Sequence, residues 1–125
     1  MSELSEALKR RTQALAASVL ALIDKIPSSI PNDAVCRQLA KSGPAIGANY
    51  RAACNGRSRA EFIAKLGVSV EEADETVYWL ELLRERPLMP PELEPVLDET
   101  IQVRAILGRS LGTARINARQ TSRSK

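Results

Sequence analysis

The sequence predicts an all-α fold, an antiparallel up-down-up-down four-helix bundle, and three observations carry that prediction. Apolar residues recur at three- and four-residue spacing through four segments. Prolines and one Asn-Gly pair punctuate the boundaries, leaving links too short for anything but neighbouring helices. The chain is 44% apolar but only 3% aromatic, which suits aliphatic helix-on-helix packing better than a sandwich. Its 125 residues are enough for one core and one domain. The bundle is expected over residues 1–119, and the polar, basic segment 120–125 is expected to be disordered.

The first helix is expected from about Glu3 to Lys25, with Ser2 as N-cap and a stripe of Leu4, Leu8, Leu15, Val19, Leu22 and Ile26. Pro27 and Pro31 bracket the connection to a second helix over about Asn32–Ala53, anchored by Val35, Leu39, Ile46 and Tyr50. Its middle breaks the propensity rules. Pro44 has no N–H for the carbonyl of Ala40 and crowds it, so a kink or a break is expected there. Gly43 and Gly47 share a face, and each interior glycine costs about 1 kcal/mol relative to Ala. Either two short helices meet at a flexible break, or these residues let another helix approach closely; the small neighbours Ala40, Ala48 and Ala52 favour the second. Cys36 and Cys54 sit on one helix about 27 Å apart, too far for a disulfide, and read as buried reduced thiols.

Asn55-Gly56 stops the second helix, and Ser58-Arg59-Ala60-Glu61 opens the third with a capping box. From there Phe62, Ile63, Leu66, Val70, Ala73, Val77 and Leu80 make one apolar stripe, while Val68, Trp79, Leu82 and Leu83 lie on the opposite side. The second face lies either under a neighbouring loop or in a subunit interface, and the interface, through Val68, Trp79 and Leu82, is the preferred reading. Folding the chain about residue 56 sets Arg51 near Glu61, Arg37 near Glu75 and Lys41 near Glu71, and Gly43 and Gly47 opposite Ser69 and Lys65. Pro87, Pro90 and Pro91 make the last connection. The fourth helix, from near Pro91 or Pro95, turns Leu93, Val96, Thr100, Val103, Leu107, Leu111 and Ala114 inward, with acids in its first turns and arginines in its last.

The net charge of +3 acquires meaning once that topology is applied. The start of the first helix, the 55–59 turn and the end of the fourth helix gather at one end, bringing twelve cations against Glu3, Glu6 and Glu61, a net +9 that leaves −6 for the rest. Solvated charge serving helix dipoles accounts for such a pole; so does a nucleic-acid site, because Arg outnumbers Lys and its fork suits phosphate oxygens. The candidate phosphate contacts are Arg10, Arg11, Arg57, Arg59, Arg109, Arg115 and Arg119. Free aromatic residues are missing from that end, so binding is expected through the backbone with weak sequence preference.

There is no histidine, which removes His-based triads, His-type zinc sites and the Glu-x-x-His di-iron signature. No Gly-rich phosphate loop and no cysteine pair at ligand spacing is present. Neither catalysis nor a cofactor or metal is expected, and Glu71, Glu72, Asp74 and Glu75 read as a solvated or interface-pairing face. No apolar run approaches the roughly 18 residues of a membrane span, and the amphipathic start lacks a signal-peptide stretch, so a cytoplasmic protein is expected.

Ala48-Asn49-Tyr50-Arg51, the run Arg57-Ser58-Arg59-Ala60-Glu61-Phe62-Ile63-Ala64-Lys65-Leu66, then Glu72-Ala73-Asp74-Glu75-Thr76, Tyr78-Trp79-Leu80 and Leu82-Leu83 form a specific string. It resembles the four-helix-bundle proteins encoded in 23S rRNA intervening sequences, small bacterial proteins, over nearly the whole chain; Pro44 and Ala52 depart from the usual pattern. The resemblance implies a homopentameric ring and brings no catalytic residues. Accessory proteins of diversity-generating retroelements are similar in fold, and bind nucleic acid and a reverse transcriptase through basic surfaces. The expectation is therefore a non-catalytic, ring-like homo-oligomeric scaffold for RNA or DNA. The alternative is a protein-interaction adaptor that binds no nucleic acid.

Overall fold

The computed structural model describes residues 2–124 and contains four helices: α1 (Glu3–Lys25), α2 (Ile30–Cys54), α3 (Arg59–Arg84) and α4 (Leu93–Ser124). Three begin at a serine whose hydroxyl accepts an orphan amide: Ser2 from Ser5, Ser29 from Asn32 and Ser58 from Glu61. Pro31 falls in the first turn of α2 rather than in the connection, where its missing N–H costs nothing. Between α3 and α4, Leu88 holds φ 63° and is 85% exposed.

The core is aliphatic. Leu15, Val19 and Leu22 of α1 meet Leu39 and Ile46 of α2, Leu66, Leu80 and Leu83 of α3, and Leu97, Val103 and Leu107 of α4, all essentially inaccessible. Leu4, expected inward, is 72% exposed, and the buried stripe of α1 begins at Leu8. The polar side chains buried with them are mostly hydroxyls. Thr12 donates to the Leu8 carbonyl (2.9 Å), Thr100 to that of Val96 (2.7 Å) and Ser69 across to that of Ile46 (2.7 Å), while the Thr76 and Ser42 hydroxyls lie 2.9 Å apart. Among the described residues no buried side-chain nitrogen or oxygen lacks a partner.

Contacts between helices pair rising numbers with falling ones. Ile46, Ser42 and Asn32 of α2 meet Ser69, Thr76 and Arg86 at and beyond α3; Asp74 and Arg84 of α3 meet Arg104 and Glu94 of α4; Arg11 and Lys25 of α1 meet Glu99 of α4 and Glu92 just before it. The ion pairs expected between α2 and α3 (Arg51–Glu61, Arg37–Glu75, Lys41–Glu71) are not among those formed. Small and hydroxyl side chains line that contact, and the pairs form from α4 outward instead.

Helix α2 runs unbroken through Pro44. The small residues beside the proline face α1, not α3 as the sequence register suggested. A Cβ on Gly43 would stand 2.8 Å from Val19 Cγ1, and one on Gly47 3.0 Å from Thr12 Oγ1. Ser69 and Asn49, which donates to the Ala45 carbonyl at 2.9 Å, add side-chain hydrogen bonds around the site where the proline removes one. The cysteines are free but only half-buried; burial, then Asp33, raises the Cys36 thiol above its ordinary range. Gln120 to Ser124, expected to be disordered, continue α4 as helix, and Lys125 lies outside the described residues.

Candidate nucleic-acid interface

The start of α1 meets the end of α2, and the start of α3 meets the end of α4. Tyr50 of α2 is buried and held beside Ser5 of α1; burial raises its phenol, with the Ser5 hydrogen bond opposing. Arg59, first residue of α3, donates from Nη1 to the Asn117 carbonyl (3.2 Å) and to Thr121 Oγ1 (2.8 Å) of α4. The 55–59 corner and the last turns of α4 are therefore in contact.

The seven candidate arginines fall into three kinds. Arg10, Arg57, Arg109, Arg115 and Arg119 are exposed and form no hydrogen bond or ion pair among the described residues. Arg59 is exposed but engaged with α4, so it is part of the scaffold at that corner as much as of its surface. Arg11 is turned away. It grips Glu99 with two bonds, Nε to Oε2 at 2.8 Å and Nη2 to Oε1 at 2.7 Å, and Nη2 also reaches Gln102. That bond holds the Glu99 carboxyl below its usual range and Arg11 above its own. Helix periodicity places Arg11 on α1 but does not reveal that α4 brings an acid to meet it.

After Glu99 the chain contains no acid at all. Arg115, Arg119 and the exposed Arg123, absent from the candidate set, recur every four residues along the last turns of α4. The signal for Arg123 was this spacing. Side chains four apart share a face, and like charges there destabilise a helix by about 0.2–0.5 kcal/mol per pair. Beside this ridge a groove of about 690 Å³ is walled by Ala60, Ile63, Ala64 and Ala118 and rimmed by Arg59, Thr121 and Ser122.

On the outward face of α3, Val68 and Leu82 are 40% and 38% exposed. Trp79, half-buried, donates from Nε1 to Glu75 Oε1 at 3.2 Å and stacks edge-on against Tyr78, which is 56% exposed and was not anticipated in this patch. Neighbouring Glu72 is raised above the ordinary carboxyl range, first by burial and then by Glu75. Three helix glycines, Gly67, Gly108 and Gly112, have nothing within 4 Å of where a Cβ would stand. Among the described residues no group of His, Cys, Asp and Glu is arranged to hold a metal ion, and no helix is long and apolar enough to cross a membrane.

An all-α four-helix bundle with hydroxyl-lined helix contacts and an arginine-rich end is the class of protein these features define. The chain belongs to the 23S rRNA-intervening sequence protein family, whose profile matches residues 6–109. It is similar to a solved structure from Bacteroides thetaiotaomicron, described as a protein with unknown function from the S23 ribosomal protein family. The two share 29% identity and superpose with a TM-score of 0.77 over 86% of this chain and 97% of the other. No curated protein matches the chain. The family match ends at residue 109, so the arginine ridge of α4 lies beyond it.

Proposed function

We propose that the chain is a non-catalytic, cytoplasmic scaffold that binds RNA or DNA at its arginine-rich end, mainly through the phosphate backbone. The observation that carries this reading is that Arg57, Arg115 and Arg119 are unpaired and flank the corner that Arg59 ties to Asn117 and Thr121, where α4 has no acid after Glu99; Arg10 and Arg109 are unpaired as well. An antiparallel up-down-up-down arrangement underlies it, supported by the opposed numbering of the contacts: Arg11 with Glu99, Ser69 with Ile46, Asp74 with Arg104. Unpaired guanidinium groups clustered in this way attract a polyanion and release its counterions on binding.

The test is a filter-binding titration of the whole protein against RNA at rising salt. Log affinity is expected to fall linearly with log salt, and each arginine removed to lower the slope by about one. Arg57→Glu with Arg115→Glu is expected to abolish binding; Arg59 is left intact because its loss would also disturb α4. Absence of binding at low salt, or binding indifferent to salt, refutes the reading.

The assembly proposed is a homo-oligomeric ring, five subunits by family likeness, in which the Val68, Trp79 and Leu82 face meets a second copy. Support comes from that exposed apolar face and from Gly67, Gly108 and Gly112, whose small size nothing inside the subunit requires. Light scattering is expected to give a pentamer mass that Leu82→Glu reduces; a monomeric native protein would exclude the ring. An adaptor that holds a protein partner on this face is the second reading, favoured by the exposed Tyr78 and Leu82 beside Glu71 and Glu75. Such binding would survive the Arg57→Glu, Arg115→Glu reversal.

A further inference from the structure

We propose that the groove between the start of α3 and the last turns of α4 receives an unpaired nucleobase, so that the nucleic acid held here is single-stranded. The proposal rests on the nucleic-acid reading and narrows its ligand class. It departs from the expectation of purely backbone-directed binding, which followed from the lack of free aromatic rings at this end.

The groove has the chemistry of a base site. Its walls, Ala60, Ile63, Ala64 and Ala118, are apolar and mostly small, and its volume of about 690 Å³ lies within the range of small-ligand sites. Arg59, Thr121 and Ser122 supply the polar part of its lining, and the groove is open to solvent, so a flat ring can be laid against its apolar wall. Arg59 is held in place by Asn117 and Thr121. Its planar guanidinium therefore offers a fixed stacking surface of the kind that unpaired bases use where aromatic side chains are missing.

The ridge beside the groove supplies the path for the strand. Arg115, Arg119 and Arg123 advance along α4 by about 6 Å per step, with no acid anywhere after Glu99 to compete for them. A backbone following that ridge passes the mouth of the groove, into which a splayed base can turn. A duplex keeps its bases stacked and paired, satisfies only the arginines, and leaves the groove unfilled.

The test compares three probes by fluorescence polarisation with the intact protein: a short single-stranded RNA, an abasic strand of equal length and charge, and the corresponding duplex. The single-stranded RNA is expected to bind about tenfold more tightly than either of the others. Ala64→Leu, at an exposed helix position where folding tolerates it, is expected to fill the groove, erase that preference and leave the abasic strand's affinity unchanged. Ala60→Leu fills it from a second position should Ala64→Leu disturb the helix, which circular dichroism monitors. Arg115→Gln with Arg119→Gln is expected to weaken all three probes alike. Equal affinity for base-bearing and abasic strands, or a preference that survives both leucine substitutions, overturns the base site while phosphate binding stands. Failure of all three probes to bind overturns the nucleic-acid reading itself, and the base site with it.

Discussion

At the level of single residues, one methyl group separates the helix glycines into two kinds. At Gly43 it would overlap Val19, and a close-packed wall gives way only at a cost of about 1–3 kcal/mol. At Gly112 it would meet open space within the subunit, and the gain in helix propensity is about 1 kcal/mol. In urea denaturation at protein concentrations where subunits are separate, Gly43→Ala is therefore expected to lower stability and Gly112→Ala to raise it. The close packing of Gly43 and Gly47 was the favoured of two readings, resting on two glycines four apart among small neighbours. Their partner was not legible. Matching α2 to α3 by charge put them against the wrong helix, since charge pairs at exposed positions constrain register weakly.

Among the elements, α4 is the one whose end sequence reasoning cut shortest, by five residues, while α2 gained two at its start and one at its end. Its first half is anchored by Leu93, Leu97, Val103 and Leu107, but past Leu111 the apolar spacing thins and arginines take over. Periodicity therefore predicted a frayed end. The helix persists to Ser124, with α3 beside it and Arg59 bonded across to Asn117 and Thr121. A long-range contact of this kind leaves no mark in the local pattern. Arg59→Met is expected to speed hydrogen exchange of the amides in the last two turns of α4 roughly fivefold, the equivalent of about 1 kcal/mol. The global denaturation midpoint should barely move. Unchanged exchange would mean that Arg59 does not hold the end of α4. By contrast, the bounds of α1 and the serine cap of α3 were readable almost to the residue, because a serine cap and an apolar stripe are both local signals; the Glu61 half of the expected capping box is not among the hydrogen bonds formed by the described residues.

For the whole molecule, the Arg11–Glu99 bridge ties the first helix to the last, and it shifts the pH response. The folded state holds Glu99 as a carboxylate more firmly than the unfolded chain does. Its stabilisation is thus complete above the ordinary carboxyl range and is lost as pH falls through the lowered folded-state value. Both side chains are about a third exposed, at 36% and 35%, so solvent screening limits the effect to under about 1 kcal/mol. Glu99→Gln is expected to lower stability at neutral pH, with the difference closing as pH drops below about 4. A difference that persists in acid would mean that packing, not the ion pair, is responsible. The charge polarity of the bundle is an expectation from composition plus topology. The removal of Arg11 from the cationic end was not readable there, because it depends on where two distant helices come level.

Because the last turns of α4 carry only guanidiniums, Arg115, Arg119 and Arg123, with no imidazole anywhere in the chain, acidity has little hold over that ridge. Guanidiniums stay protonated across the range in which most proteins remain folded. Whatever polyanion settles there would be shed by a rise in electrolyte and left in place by a mild swing in pH, a surface tuned to ions and nearly blind to protons.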